Sequence, residues 1–389
     1  MAASHYVQLT YPWKAAVDAR RRAPALFLAS LIEQSLRYGM PSTRRFGSQL
    51  AFIGRRGLPR RSLATLLRWL PRKDRDDIEE LLVELKITWP ELADRSEHLS
   101  PEAPELTTLT LERASATTVF VFGETDDPIL VCKLPRTDPA EIEMEAGALL
   151  EASSSGTAPA YLGVVGRAHV QEAVKGAPLK VRPITPADGA AIAWSADHDR
   201  LAAALDRLSA ATSKRHVADE LADGEVQRVM ESDLVGPRTK GKVSAALAGL
   251  SEWKTSVLKH ADTSPQNCLL HADEVRLVDW ANARTFGMPG FDCYNAALSF
   301  LDHGLGLVRW SDERSLELFR TVLREGTYWD HARAAGASCV LSAGGNDDHA
   351  TQSEIAFFAR RLALRIAGPD RFLLGAPAAA RMLDLVCER

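Results

Sequence analysis

The spacing of apolar residues changes near residue 100 and again near residue 190, and these changes restrict the folds open to the chain. Between the two positions, short runs rich in β-branched and aromatic residues predict the strands of one antiparallel sheet. One helix is expected at 140–153, because Ile142, Ala146, Leu149 and Leu150 share a helical face. The predicted strands are LTTLTL at 106–111, TTVFVFG at 117–123, ILVCKL at 129–134 and HVQEAV at 169–174.

The chain after residue 190 is expected to be mainly helical. Segments such as DHDRLAAALDRLSAAT (197–212) and SEIAFFARRLALRIA (353–367) carry apolar residues at spacings of three and four. With 389 residues, the chain is long enough for two or three domains. The pattern therefore predicts an α+β protein, with a small antiparallel sheet followed by a larger helical part.

The N-terminal segment differs from the remainder in charge. Residues 1–75 contain fifteen Lys or Arg and three acids, a balance of +12, so the net charge of −4 leaves −16 for the rest. Helical spacing at 28–36, after Ser62 and at 78–85 predicts a small helical domain, which we place at 1–99. Its basic residues form either a solvated face or a surface for an anionic membrane or an acidic partner. A specific nucleic-acid partner is not expected.

The cysteines and the hydropathy indicate a cytoplasmic protein. The five cysteines are scattered without a CxxC pair, which argues against a disulfide framework or a zinc site. The longest apolar stretch, at 23–32, falls well short of the roughly 20 residues that span a bilayer. Peripheral membrane attachment through the basic segment remains the alternative.

Two polar clusters near residue 270 carry the chemistry. HADTSPQN (260–267) is expected to form a loop between a helix and a short strand, and VRLVDW (275–280) a second strand that folds back through the turn HADE. This hairpin would bring Asp279 beside Asp262 and Asn267. Two carboxylates and a carboxamide form the oxygen-rich environment that Mg²⁺ prefers, often shared with nucleotide phosphates. The clusters therefore predict phosphoryl transfer.

The pattern H-x-D-x-x-x-x-N, followed by an apolar strand and V-D-W, resembles the aminoglycoside phosphotransferase family of protein-kinase-like enzymes. The resemblance covers about residues 105–370 and implies a bilobal protein-kinase-like fold, with boundaries at 100–175 and 176–389 for the two lobes. It implies Asp262 as catalytic base, Asn267 and Asp279 as metal ligands, and His260 as a packing residue that shapes the loop. The segment GMPGFD at 287–292 resembles the family's G-x-P-x-x-D, in which the acid braces the catalytic loop.

The same resemblance implies a nucleotide site upstream. Lys133 would contact the α- and β-phosphates of ATP, and Glu145 would orient that lysine, with Glu141 and Glu143 as alternatives. In the segment VQEAVKGAPL, the backbone at 172–174 would hold the adenine edge, and Ser115 lies in the loop expected to cover the phosphates. The adenine-binding residues implied in this way are Glu172, Ala173 and Val174.

Departures from the family pattern leave a second function open. The loop ERASATT (112–118) contains no glycine, and Thr263 and Ser264 replace the more usual Leu-His. The first interpretation is an ATP- and Mg²⁺-dependent enzyme that phosphorylates a small-molecule hydroxyl. A sugar or amino-sugar is favoured by the acidic body, with amino alcohols as further candidates. The alternative is a nucleotide-binding pseudokinase or scaffold that is recruited through its basic segment.

Overall fold

The computed structural model describes residues 50–53, 72–112, 116–123, 128–136, 139–181, 184, 192–222, 224–306, 312–325, 327–367 and 376–388. The chain divides into two compact units. The first comprises Met1–Ser153 and Pro159–Pro178, and the second comprises Ser154–Ala158 and Leu179–Arg389.

The first unit is built on a six-stranded sheet in which every neighbouring pair is antiparallel. The strand order is β1-β2-β3-β4-β6-β5, so β1 and β5 form the edges. A separate two-residue strand, β7, ends the unit at Ala177–Pro178. The sheet strands are β1 (Leu50–Ile53), β2 (Thr107–Glu112), β3 (Ala116–Phe122), β4 (Pro128–Pro135), β5 (Tyr161–Val165) and β6 (Ala168–Glu172).

The four strands predicted from the sequence are confirmed as β2, β3, β4 and β6, and the helix expected between them is α2 (Ala140–Ala152). Leu150 does not share the buried face of Leu149 and is exposed, because adjacent helical residues point about 100° apart. Two strands of the six-stranded sheet were missed. β1 is a four-residue edge strand. β5 has a glycine at its centre, Gly163 with φ +125°, which interrupts the run of β-branched residues by which a strand is recognised in a sequence.

Helix α1 (Arg72–Asp94) shares its apolar core with this sheet. Five of its side chains are buried beside strand residues such as Val119 and Val170, because they recur every three or four residues on one face. The domain boundaries drawn from the sequence stay predictions, but the described part of residues 1–99 packs with the sheet. The five buried side chains of α1 are Ile78, Leu81, Leu85, Trp89 and Leu92.

The second unit is mainly helical, as the spacing of apolar residues predicted. Its largest core cluster joins Tyr294, Trp329 and Phe357 with aliphatic residues from the surrounding helices. The helices are α3 (Ala196–Thr212), α4 (Asp219–Ala222), α5 (Gln227–Glu231), α6 (Pro237–Trp253), α7 (Phe291–Gly306), α8 (Asp312–Glu325), α9 (Thr327–Ser342), α10 (Asp347–Ala367) and α11 (Ala376–Glu388).

Two short antiparallel pairs lie among these helices. β8 (Val257–Lys259) pairs with β11 (Arg284–Gly287), and β9 (Cys268–His271) pairs with β10 (Glu274–Leu277). The β9–β10 hairpin was predicted and is confirmed. Its two turn residues, Ala272 and Asp273, both have positive φ, at 46° and 68°, as a two-residue hairpin turn of this hand requires.

A short segment from the early part of the chain also belongs to the second unit. Within Ser154–Ala158, the carbonyl of Thr157 accepts a hydrogen bond from the Leu277 N–H at 2.7 Å. Leu277 is the last residue of β10 and lies two residues before Asp279. This piece of chain therefore supports the strand that leads to the predicted metal ligand.

The α+β class is confirmed, because one unit is built on an antiparallel sheet and the other is dominated by helices. The helices predicted at 28–36 and after Ser62 lie outside the described residues, as does most of the basic segment 1–75. Among the residues that the structure describes, no helix has the length and hydropathy needed to cross a membrane.

Candidate active site

The loop at 260–267 is held in place by one buried carboxylate, Asp292, on the first turn of α7. One carboxylate oxygen of Asp292 accepts the backbone N–H of His260 at 2.7 Å, and the other accepts the N–H of Ala261 at 2.9 Å. The Thr263 hydroxyl donates to the Asp292 carbonyl at 3.0 Å. Asp292 therefore binds the loop just before Asp262, the role that the sequence assigned to the GMPGFD segment.

Burial and charge act in opposite directions on this carboxylate. Burial raises the pKa of Asp292, while the neighbouring His260 and Lys259 and the two backbone N–H groups lower it. Donors aimed at both oxygens favour the ionised form, because a carboxylate can accept at each of them. The clamp thus works best when Asp292 is charged.

His260 links the loop to the next strand. Its ring is fully buried, its Nε2–H donates to the Val278 carbonyl at 3.0 Å, and its Nδ1 accepts the Asp262 N–H at 3.3 Å. The ring packs edge-on against Trp280, with centroids 4.7 Å apart. The indole N–H of Trp280 is itself donated to the Leu277 carbonyl at 2.8 Å. These contacts bury the His260 ring inside the loop, as expected of a packing residue and not of a group that exchanges protons with the surroundings.

Hydrogen bonds join the loop at 260–267 to the segment that carries Asp279. The Asn267 Nδ2 group donates to the Asp262 carbonyl at 3.1 Å, and the Val278 N–H donates to the Asn267 carbonyl at 2.8 Å. Asp279 follows Val278 directly and has φ 66°, a left-handed conformation that is costly for a non-glycine residue. The predicted convergence of Asp262, Asn267 and Asp279 is therefore supported by the backbone contacts.

The carboxamide of Asn267 gives a direct test of whether this arrangement suits a cation. Asn267 is fully buried, and its Oδ1 has no hydrogen-bond partner among the described residues. A buried amide oxygen without a partner is energetically costly unless something else binds it. Asn267 and Asp279 offer hard oxygen ligands of the type that Mg²⁺ takes, with the remaining positions left to water or phosphate.

No group of three His, Cys, Asp or Glu side chains in the described ranges has the geometry to hold a metal by itself. The metal ligands implied by the resemblance, Asn267 and Asp279, are one amide and one acid. Such a set is too small to enclose a cation, and it suits one that is bound together with a ligand that brings its own oxygens.

Cys268 lies beside these groups but has a different character. It is fully buried in β9, and burial together with the charges of Asp262 and Asp292 raises the pKa of its thiol well above the usual range. A thiol that resists ionisation is a poor nucleophile. Cys268 is a core residue of the strand.

In the first unit, Lys133 on β4 contacts the carboxylate of Glu145 on α2, and both side chains are buried. Glu141 and Glu143 on the same helix are exposed. The three alternatives left open by the sequence thus differ in position, and Glu145 makes the contact because it lies on the buried face of α2 with Ile142 and Ala146.

The segment predicted to hold adenine follows β6. The Ala173 N–H is donated to the Ile129 carbonyl at 3.1 Å, and the Glu172 N–H to the Ala160 carbonyl at 2.9 Å. The Glu172 carboxylate accepts the Ser96 hydroxyl. Two of the three backbone donors of this segment are therefore engaged within the described residues. Ser115 lies outside the described residues.

The sequence did not identify the role of two further residues. Asn295 on α7 donates to the Thr263 hydroxyl at 3.3 Å, which holds the loop in addition to the contacts made by Asp292. Lys259, immediately before His260, is buried against Glu220 on α4. A lysine that ends the apolar run SVL was the available signal, because a charged residue there must find a partner if the run is buried.

No family model and no curated protein sequence matches the chain. Solved structures resemble it at low identity. A proposed aminoglycoside phosphotransferase from Ralstonia eutropha has a TM-score of 0.43 and 14% identity, over 79% of this chain and 97% of that one. A proposed fructosamine-3-kinase from Thermobifida fusca has a TM-score of 0.41 and 16% identity, over 78% and 96%. An ethanolamine kinase from Plasmodium vivax has a TM-score of 0.41 and 10% identity, over 86% and 96%.

Proposed function

We propose that the protein is an ATP- and Mg²⁺-dependent phosphotransferase that acts on a hydroxyl group of a small molecule. The observation that carries the proposal is the buried Asn267 Oδ1, which lacks a partner among the described residues in a loop that also fixes Asp262 and leads to Asp279. An amide oxygen and a carboxylate at the end of one hairpin suit a cation that is shared with phosphate oxygens.

Asp262 is the base in this proposal. Its backbone is fixed by Asn267 and His260, while its side chain is partly exposed. That position suits a carboxylate that orients an acceptor hydroxyl and takes its proton during attack on the γ-phosphorus. Asn267 and Asp279 would hold Mg²⁺, which when bound neutralises charge on the β- and γ-phosphates.

The first unit would supply the nucleotide contacts. The Lys133 ammonium, oriented by its contact with the buried Glu145 carboxylate, suits the α- and β-phosphates. The Val174 N–H is the donor for the adenine edge, and the carbonyls at 172–174 are candidate acceptors. Ser115 remains a proposed phosphate-covering residue on the sequence alone.

A sugar or amino-sugar is the proposed acceptor, since residues 76–389 carry a net charge of −16 that suits polar or cationic ligands. The similar structures are named for aminoglycoside, fructosamine and ethanolamine substrates, the first two as proposed activities, and amino alcohols belong in the same trial.

The test is ATP consumption with Mg²⁺ against sugars, aminoglycosides, choline, ethanolamine and amino-acid alcohols. Asp262→Asn should retain nucleotide binding and lose about 10²–10⁴-fold in kcat, the usual contribution of a positioned base. Asp273→Asn, an acid with 85% side-chain exposure in the neighbouring hairpin turn, is the matched control and should keep the wild-type rate.

A separate binding measurement tests the metal site without any acceptor. ATP affinity measured by calorimetry should rise with Mg²⁺ in the wild type, and Asn267→Leu should lose that rise. Nucleotide binding with no transfer to any acceptor would contradict the enzyme proposal and favour the pseudokinase. Mg²⁺-independent binding in the wild type would contradict the metal assignment.

A further inference from the structure

Lys259 is a buried cation at the entrance to the catalytic loop. It is the last residue of β8, it is 4% exposed, and the next residue in the chain is His260. Its ammonium contacts the carboxylate of Glu220 on the short helix α4, which is 3% exposed. Burial lowers the pKa of Lys259 to about 7, while the nearby Asp292 carboxylate acts in the opposite direction and favours the protonated form.

Glu220 also holds the second segment of the site. Its other carboxylate oxygen accepts the backbone N–H of Met288 at 3.1 Å. Met288 follows β11 directly and precedes Asp292 by four residues. One carboxylate therefore contacts both the end of β8, which enters the loop with Asp262, and the segment that enters α7 with Asp292.

The two strands behind these contacts are packed closely. β8 and β11 pair through Arg284 with Lys259 and through Gly287 with Val257, with an irregularity between the two pairs. A β-carbon added at Gly287 would lie 2.3 Å from the β-carbon of Lys259, so this position has no room for a larger residue. The Lys259 side chain is thus confined at its base by β11 and at its tip by Glu220.

Lys259 further contacts the residue next to Asp292. Its Nζ lies 3.9 Å from the ring centroid of Phe291, within the range of a cation–π interaction. The contacts therefore connect the two chain segments in both directions. Glu220 contacts Lys259 and the Met288 N–H, and Lys259 contacts the Phe291 ring. Asp292, the residue after Phe291, accepts the N–H groups of the two residues after Lys259.

We propose that Lys259 and Glu220 are a positioning pair for phosphoryl transfer. Their contact fixes the position of Asp292 relative to the loop that carries Asp262. The proposal rests on the function proposed above. Neither side chain is placed against the nucleotide or the acceptor, so their effect reaches the reaction through the His260 and Ala261 amides that Asp292 binds.

A contribution to stability alone would not require charges at these positions. Neutral side chains of similar size often replace a buried ion pair with little loss, or with a gain, whereas the removal of one partner leaves an uncompensated charge. Here the charged groups add directional hydrogen bonds. The ammonium and the carboxylate connect two chain segments with a defined geometry, which apolar side chains of the same volume would not impose.

The experiment compares Lys259→Met, Glu220→Gln and the double variant in the full chain. Glu220→Gln retains an oxygen that can accept the Met288 N–H. Each protein is measured for its Tm, for hydrogen exchange at the His260 and Ala261 amides, and for kcat and nucleotide Kd. The control is the double variant Arg361→Met/Asp302→Asn, which neutralises an ion pair of 3.2 Å in the same unit. Asp302 lies ten residues beyond Asp292 on α7, about 15 Å along the helix.

We expect the single variants to lower Tm and the double variant to recover most of that loss. In the double variant the two amides should exchange at least about tenfold faster than in the wild type, and kcat should fall roughly tenfold to a hundredfold. The nucleotide Kd should stay within about twofold, because the pair is not placed against the nucleotide. The control pair should change Tm without faster exchange at His260 and Ala261.

Wild-type exchange and wild-type kcat in the Lys259/Glu220 double variant would overturn the proposal. If that variant stays less stable, comparison with the control pair at matched Tm decides. Faster exchange confined to the Lys259/Glu220 variant supports positioning, and equal exchange in both overturns it. The absence of transfer by the wild type to any acceptor would refute the proposed function alone, since the exchange measurement still shows whether the pair orders the loop.

Discussion

His198 should make the free energy of unfolding fall as the pH drops below 6.5. The ring lies near the start of α3, where Nδ1 accepts the Ser195 N–H at 3.2 Å and Nε2 lies 3.2 Å from the Tyr328 hydroxyl. That hydroxyl donates to the Ala297 carbonyl at 2.9 Å, so the Nε2–H form of the neutral ring satisfies every contact. Burial lowers the pKa of His198 from 6.5 to about 4, against the opposing charges of Asp197 and Asp199.

The direction and size of the effect follow from proton binding. Between pH 6.5 and 4 the unfolded chain binds a proton at this imidazole and the folded chain does not, so acid favours unfolding. With these two pKa values, lowering the pH from 7 to 5 costs about 2 kcal/mol through His198. The full cost, reached below pH 4, is about 3 kcal/mol.

The assay is urea unfolding of wild type and His198→Asn at pH 7 and pH 5. The asparagine oxygen can still accept the Ser195 N–H. The slope of the unfolding free energy against pH is compared between the wild type and the variant, so contributions from other titrating groups cancel. His271→Asn, the same substitution at an exposed residue of the β9–β10 hairpin, is the control and should keep the wild-type slope. If His198→Asn loses as much stability between pH 7 and pH 5 as the wild type, the reasoning is refuted.

Three further perturbations test the scaffold. Asp292→Asn replaces one acceptor oxygen by an amide NH2 group that faces a backbone donor, which should lower the unfolding free energy by about 1–3 kcal/mol and lower kcat. Urea unfolding and turnover measure both, and an unchanged unfolding free energy would contradict the clamp. Ala261→Gly relieves a residue at φ 66° and should raise the unfolding free energy by about 0.5–1 kcal/mol, whereas a loss would show that the loop is not strained there. Deletion of 1–99 removes the five buried side chains of α1 and should abolish soluble protein, while deletion of 1–49 should not. The shorter deletion leaves eight of the fifteen basic residues of 1–75 in place, so the vesicle test combines it with Gln substitutions of the four arginines in RRGLPRR (55–61). Unchanged binding of that variant to anionic vesicles would discard the membrane hypothesis.

Local pattern was sufficient where a residue's environment is set by its neighbours in the chain. The runs that became β3 and β4 were visible because β3 is rich in β-branched and aromatic residues and β4 in aliphatic ones. The choice of Glu145 came from the family resemblance, with Glu141 and Glu143 as alternatives, and it is the structure that places Glu145 on the buried face of α2 and leaves Glu143 exposed. The hairpin that brings Asp279 beside Asn267 also followed from its own turn residues.

The features that were missed depend on partners distant in sequence. The loop at 260–267 was expected to follow a helix directly, but the three-residue strand β8 intervenes, and it exists because β11 pairs with it from 25 residues further along. Lys259 contacts Glu220, which is 39 residues away in the sequence, and the local sequence VLKH does not indicate that partner. Long-range pairing of short segments leaves no periodicity to detect.

The hydrogen bond from Leu277 to the carbonyl of Thr157 has a consequence for anyone who divides the gene. A fragment that begins at residue 179 contains every acid and amide of the proposed metal site, yet it omits Thr157 and leaves the Leu277 N–H without its acceptor. An expression fragment of the helical unit must therefore begin before residue 154 or carry 154–158 as a grafted peptide. The chemistry lies in the second half of the chain, but its genetic boundary lies in the first.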